Sequence, residues 1–328
     1  MAKDFLANES FQSFLEELTR FGTLHGPTLT EDGVPAFTTI ASSSDLCLDY
    51  RRTLIPPKKY LFPPRTPLLN FAPDCGYSQP AVAAGEIILF GLHPCDLAAI
   101  SYLDRVFIQD RPDPLYQARR NALTMIGLSC EADEFCFCGE MGTDTPVDFD
   151  IYLEKVEGGF HVRQGSPRGE TIISGLSSLS EGPETAAPQS RMAKVADRIR
   201  KAAERQETFP KSPLWDDFAD RCLSCGACSL CCPTCYCLDI REYGDLDGRT
   251  AQRIQEWDNC LFKSHGEIAG GYNFRKTRQE RFRYRFIHKY LGFGPLREVI
   301  SCVGCGRCRE VCPVKIDLLE LFQQEDEP

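Results

Sequence analysis

Apolar residues recur at helical spacing through residues 9–22, beginning Glu9-Ser-Phe-Gln-Ser-Phe, and Gly22 follows as a stop, so a helix is predicted there. Residues 47–85 are rich in proline and carry no period, which predicts irregular chain. Glu86-Ile-Ile-Leu-Phe-Gly-Leu92 and Ala122-Leu-Thr-Met-Ile-Gly-Leu128 are short continuous apolar runs, the pattern of strands covered on both faces. A helix predicted at about 95–107 lies between them. Strand, helix and strand at this spacing form a βαβ unit, hence a parallel pair. Two alternating segments, 149–156 and 160–164, read as a hairpin around Gly158-Gly159.

Gly, Ser and Pro crowd residues 165–190, and a charged helix is predicted at 191–206. The expected organisation is therefore an α/β (α+β) N-terminal domain over 1–190, a linker helix within 191–209, and a second domain over 210–328. Apolar residues make up 42% of the 328 and charged residues 26%, the balance of an ordinary soluble protein with room for two cores. No apolar run approaches the roughly 20 residues that span a bilayer. The N-terminus has no apolar leader, so a cytoplasmic location is expected. A net charge of −10 argues against nucleic acid as the main partner.

Eighteen cysteines change the picture. Cys222, Cys225, Cys228 and Cys232-Pro233 spell CxxCxxCxxxCP, and Cys302, Cys305, Cys308 and Cys312-Pro313 spell it again. Three thiolates two residues apart on a tight loop wrap three irons of a cubane, while the fourth, ahead of a chain-turning proline, points away. With two such runs the fourth cysteine of each closes the other cluster. The expected [4Fe-4S] ligand sets are Cys222, Cys225, Cys228 and Cys312, and Cys302, Cys305, Cys308 and Cys232. Structural zinc is the rival, but a zinc shell built from two CxxC pairs has no use for the third cysteine or the repeated Cys-Pro. Gly226 and Gly306 are expected to let backbone amides approach the sulfurs. The runs lie about seventy residues apart, so a mainly helical dicluster module is expected rather than a small β-rich one.

Cys95 follows the first buried strand and Cys130 the second, so a parallel pair brings both to one sheet edge, where open α/β sheets bind ligands. Cys136 and Cys138 add two thiols in the next loop. A third [4Fe-4S] cluster on Cys95, Cys130, Cys136 and Cys138 is expected, against the alternative that Cys95 and Cys130 are small buried hydrophobes. His93 beside it is either a donor to a cluster sulfur or an ordinary loop histidine. Cys235 and Cys237 are expected to pack around a cluster or to replace a ligand. Cys231 competes with Cys232 as the crossing ligand until the proline decides for Cys232, and Cys47, Cys75 and Cys260 read as buried thiols.

These residues carry a family resemblance. Phe90-Gly-Leu-His-Pro-Cys-Asp96, Tyr116 with Arg119-Arg120, Ile126-Gly-Leu-Ser-Cys130 and Cys136-Phe-Cys138 resemble the first domain of a family of 4Fe-4S electron-transfer proteins. That family takes in sulfhydrogenase beta subunits and the corresponding component of anaerobic sulfite reductase. Arg221-Cys-Leu-Ser-Cys-Gly226, Cys232-Pro-Thr-Cys-Tyr-Cys237, Trp257 to Cys260, Gly270 to Arg275, His288-Lys289 and Cys302 to Cys308 are similar as well. Cys231 departs from the pattern, where an apolar residue is expected. The resemblance implies an electron-carrying subunit between a flavoprotein subunit meeting NAD(P)H or ferredoxin and a separate catalytic subunit that is hydrogenase-, sulfite-reductase- or heterodisulfide-reductase-like.

No GxGxxG, P-loop, GxSxG or HExxH is present. No catalytic residue is expected, and the chain reads as a non-catalytic component of an oxidoreductase complex. The competing reading is a reductase whose N-terminal cluster, or a flavin bound without a motif, meets substrate directly. The basic segment from Arg275 to Lys289, interleaved with Phe282, Tyr284 and Phe286, is read as neutralising the anionic clusters, as docking an acidic partner, or, least, as meeting nucleic acid.

Overall fold

A computed structural model describes residues 4–80, 85–182, 194–204, 214–246, 248–292, 296, 299–317 and 319–320. The strands are β1 (Phe5–Ala7), β2 (Thr23–Leu29), β3 (Pro35–Thr39), β4 (Arg65–Ala72), β5 (Gly76–Ser78), β6 (Ile87–Leu92), β7 (Leu123–Leu128), β8 (Ile151–Val156), β9 (Gly159–Gln164), β10 (Leu238–Gly244) and β11 (Ala251–Trp257). The chain divides into two compact units, one of 1–57, 84–193 and 303–306, the other of 58–83, 194–302 and 307–328. The sequence places one division near 190; the compact units exchange two further segments, 58–83 and 303–306.

The first unit is built on a seven-stranded sheet in the order β1-β9-β8-β7-β6-β2-β3. Strands β2, β6, β7 and β8 run parallel, and β3, β9 and β1 add antiparallel edges. Every residue of β7 is buried, and five of six in β6, because helices and loops cover both faces of a parallel sheet. The crossover between them is longer than the spacing predicts: helix Pro94–Asp104, a π turn over Arg105–Gln109, and helix Pro114–Asn121. Tyr116 Oη and Arg120 Nε both reach the Asp104 carboxylate, at 2.8 and 2.9 Å, and tie the two helices together. Phe14, Leu18, Ile88, Phe90, Ile126, Ile151 and Leu153 are buried in the core on this sheet. The hairpin at 149–164 appears as β8 and β9, with Gly158 in the left-handed region at its turn.

The second unit differs from its expected form. It contains a four-stranded antiparallel sheet, β10-β11-β4-β5, besides its helices. Residues read as irregular chain supply β4 and β5. Pro67 hides β4, since it lacks the ladder N–H; the register with β11 shifts between Arg253 and Ile254, so that Pro67 faces Ile254 and Leu69 faces Arg253. The insert between the cysteine runs is likewise part strand, β10 and β11, and part helix, Arg278–Leu291. Thr277 starts that helix with a capping box closed by Glu280. The Arg–aromatic alternation of the sequence is thus wound at 3.6 residues per turn, and Phe282, Arg285, Phe286, Lys289 and Tyr290 become its buried face. No helix among the described residues is long and apolar enough to cross a membrane.

Candidate metal centres

In the second unit, Cys222, Cys225, Cys228 and Cys312 line one cavity, walled by Leu261, Phe282, Phe286, Pro313 and Ile316 and shared at its rim with Cys308. The loop that presents the first three thiols requires unusual backbone. Ser224 has φ 52° and donates its N–H to Cys222 Sγ at 3.3 Å; Lys315 has φ 52°, and Ile316 N–H reaches Cys312 Sγ at 3.3 Å. These amide-to-sulfur bonds stabilise negative charge on the thiolates. They come from Ser224 and Ile316 rather than from the glycines. Gly226, at φ 81°, is needed for a different reason: a Cβ there would stand 2.3 Å from Asn259 Nδ2. Buried Asn259 donates to Gly226 O at 2.6 Å and accepts from Leu261 N, so it latches the cysteine loop to the segment after β11.

The ligands expected for the second cluster fall differently. Cys232 is buried, and with Cys302 it lies in the field of the Lys289 ammonium. Cys302 and Cys308 both act on the buried Tyr290 hydroxyl. Cys305 belongs to the first unit, where it packs, as Cys138 does, against the buried cluster of Cys95, Ala99 and Val303.

In the first unit, Cys95 sits in the first turn of the helix that follows β6, and Cys130 lies two residues beyond β7. The parallel register, Phe90 beside Ile126, brings both to the same edge. Cys138 hydrogen-bonds with the Cys136 thiol and interacts with Cys95 and Cys130, so four thiols gather there; that hydrogen bond, burial and the neighbouring sulfurs push the Cys138 thiol far up. Asp133 orders the Cys136 loop by accepting from the N–H groups of Phe135 and Cys136, both at 3.0 Å, while its own N–H reaches Cys136 Sγ at 3.2 Å. Arg52 pairs with Asp133 and lies over the Phe135 ring. Gly304 and Gly306, both left-handed, pass against the backbone of 135–138, and Phe137 N–H donates to Gly304 O at 2.7 Å. His93 is buried and its ring stacks on Tyr50 at 4.2 Å.

Three buried cations surround the thiols after the first Cys-Pro. Arg285 donates to Ser229 Oγ at 2.6 Å, Cys228 O at 2.7 Å and Cys235 Sγ at 3.2 Å. Lys289 reaches Thr234 Oγ1, and Lys58 donates to Cys235 O at 2.8 Å above the Trp257 ring. Burial pulls Arg285 and Lys289 toward neutrality, but the neighbouring thiols outweigh it and hold both well above their ordinary range. Lys58, with less compensation, is lowered by burial. Cys75 lies exposed in the turn between β4 and β5, and Cys47 is half-buried, so of the three cysteines read as buried thiols only Cys260 is one. Cys231 is buried where the pattern asks for an apolar side chain. Sequence reasoning placed Arg285 in the basic segment read as neutralising clusters but missed Lys58 and Asn259; no local signal marks those two, because each acts across a long loop.

A 4Fe-4S dicluster domain matches residues 221–316. The chain is 33% identical over 332 residues, 97% of each chain, to the sulfhydrogenase 2 subunit beta of Pyrococcus furiosus. This chain belongs to the sulfhydrogenase beta-subunit family. It is also 24% identical over 136 residues, 42% of this chain and 28% of the other, to the F420-dependent formate dehydrogenase subunit beta of Methanocaldococcus jannaschii. No solved structure matches. In family terms the first-run cavity lies inside the dicluster domain, while the four thiols of the first unit lie outside it.

Proposed function

We propose that the chain relays single electrons, as a cytoplasmic iron–sulfur subunit, between a flavoprotein subunit and a catalytic oxidoreductase subunit of the hydrogenase, sulfite-reductase or heterodisulfide-reductase kind. The observation that carries the reading is the convergence of Cys222, Cys225, Cys228 and Cys312 on one apolar cavity within the matched domain. A [4Fe-4S] cluster bound by four thiolates exchanges one electron without making or breaking a bond to substrate.

The residues present suit such groups. Four thiols and two inward amide N–H groups form a soft, anion-stabilising donor set. Leu261, Phe282, Phe286 and Ile316 keep water from it. Cys302, Cys305, Cys308 and Cys232 are assigned to the second cluster, with Lys289 offsetting its charge. Cys95, Cys130, Cys136 and Cys138 are assigned to a third. The sulfhydrogenase and formate dehydrogenase names of the relatives support a place beside a catalytic partner.

Redox titration of anaerobically prepared chain, followed by EPR, tests the relay. Cubane signals that appear and vanish reversibly at low potential are expected. Colourless protein, or zinc in place of iron, removes the reading. Copurification under the same conditions identifies the flavoprotein and catalytic partners.

A further inference from the structure

Of the six cysteines outside these assignments, three lie together in the second unit. Strand pairing brings them there. Leu238 faces Trp257 across the β10–β11 ladder, so Cys237 lies beside Asp258, whose N–H donates to Cys237 O at 3.0 Å, and Cys260 is two residues further on. The thiols of Cys237 and Cys260 hydrogen-bond each other. Arg285 then joins the group: its guanidinium is 3.2 Å from Cys235 Sγ and also hydrogen-bonds Cys260, while the Cys235 thiol hydrogen-bonds that of Cys232.

Two independent features point to a ligand at this group. One is charge. Arg285 is 3% exposed, and its Nε lacks an acceptor among the described residues. The opposing charges around Arg285 are the thiols of Cys228, Cys235, Cys260 and Cys232, and those around Lys58 are Cys235, Cys232 and Cys237, so three of the five belong to this group. Buried cations need anions close by, and thiolates gathered on a cluster supply them. The other feature is a histidine. His265 acts electrostatically on Cys260 and holds Asp258 through Nδ1. A metal-binding imidazole commonly donates one ring N–H to a carboxylate, which leaves the other nitrogen's lone pair for the metal.

We infer that Cys235, Cys237 and Cys260, with His265 as a fourth and non-cysteine ligand, hold a further iron–sulfur cluster, next to the Cys232 thiol of the first CxxCxxCxxxCP run. A single ion does not fit, since among the described residues no three His, Cys, Asp or Glu side chains converge closely enough for one. The same holds at the CxxCxxC loop of the matched dicluster domain, because a cubane spreads its ligands wider than a lone metal does. Mixed Cys/His ligation raises a cluster's potential relative to all-cysteine ligation. This centre therefore takes electrons more readily than an all-cysteine one in the same surroundings.

The test compares iron, acid-labile sulfide and EPR of the full chain, prepared anaerobically, with those of a Cys235→Ser/Cys237→Ser/Cys260→Ser variant and of His265→Cys. The triple variant is expected to lose about four irons and about four sulfides per chain while the other clusters' signals persist. His265→Cys is expected to keep its iron and to shift the spectrum and potential of one cluster downward. Wild-type iron content in the triple variant overturns the inference. Should the triple variant fail to fold, His265→Cys decides: a spectrum superimposable on wild type overturns the site, and a single altered cluster supports it. Iron-free wild-type chain would instead sink the relay reading above, so the two failures are distinguishable.

Discussion

Arg285 Nη1 stands 3.2 Å from Cys235 Sγ while the same guanidinium bonds the carbonyl of Cys228, which lines the first-run cavity. One buried cation thus links two groups of sulfur atoms that the sequence separates by a Cys-Pro turn. Positive charge and hydrogen bonding near a cluster favour its reduced, more negative form.

Arg285→Met keeps the apolar stem and removes the charge. Lower midpoint potentials are expected for the cluster on Cys222, Cys225, Cys228 and Cys312, read by redox titration with EPR. The exchange also breaks a buried charge network, at a cost of roughly 3–5 kcal/mol in the denaturant midpoint. An unchanged potential would mean that the guanidinium only packs.

Gly304 and Gly306 offer a backbone test in the first unit. An alanine Cβ at Gly304 would lie 2.7 Å from Cys138 N, and at Gly306 2.5 Å from the Phe135 carbonyl carbon; both positions have positive φ. Left-handed backbone costs an alanine about 1–2 kcal/mol, and the overlap adds roughly 1–3 kcal/mol. Either substitution is expected to displace the 135–138 loop and to lower iron content, with the signal of the first-run cluster preserved. Gly33, at φ 74° with nothing near its Cβ, is the control; Gly33→Ala carries the strain without the loss of iron.

Cys136→Ser addresses the third cluster directly. Cys136 bonds Cys138 and is ordered by Asp133. Its replacement is expected to remove about four irons per chain. An unchanged iron and sulfide analysis would return Cys95 and Cys130 to the role of small buried hydrophobes.

Glu17 gives a pH dependence of stability in the first unit. Its carboxylate accepts from the N–H and hydroxyl groups of Ser177 and Ser178, and these bonds, the Ser177 hydroxyl first, outweigh burial and lower its pKa to about 2. The unfolded chain binds this proton nearer pH 4.5, so the stabilisation is fully present above that value and is lost as pH falls toward 2. Glu17→Gln is expected to destabilise the first unit by roughly 1–3 kcal/mol at neutral pH. The gap between variant and wild-type denaturant midpoints should narrow as the medium is acidified below pH 4.5; a gap that stays constant would assign the effect to packing.

Local information determined much of this protein. Ligand loops of the CxxCxxC kind are encoded within a dozen residues, because neighbouring thiolates must reach one small inorganic core whatever surrounds them. The parallel pair β6 and β7 was equally legible, since strands buried on both faces are apolar throughout, and Cys95 and Cys130 followed from where those strands end. Tertiary structure decided the rest. Strands β4 and β5 were hidden by proline and emerge only when β11 supplies the ladder from some 180 residues away. Whether Arg285 faces solvent or sulfur depended on winding its segment into a helix, which turned an apparent alternation into one buried cationic face. Cys235 and Cys237 read as thiols around a cluster and Cys260 as a separate buried thiol, until the β10–β11 register set Cys237 near Cys260 and Arg285 reached Cys235. A linear pattern records which atoms can bind, whereas long-range pairing and the burial of charge determine which of them meet.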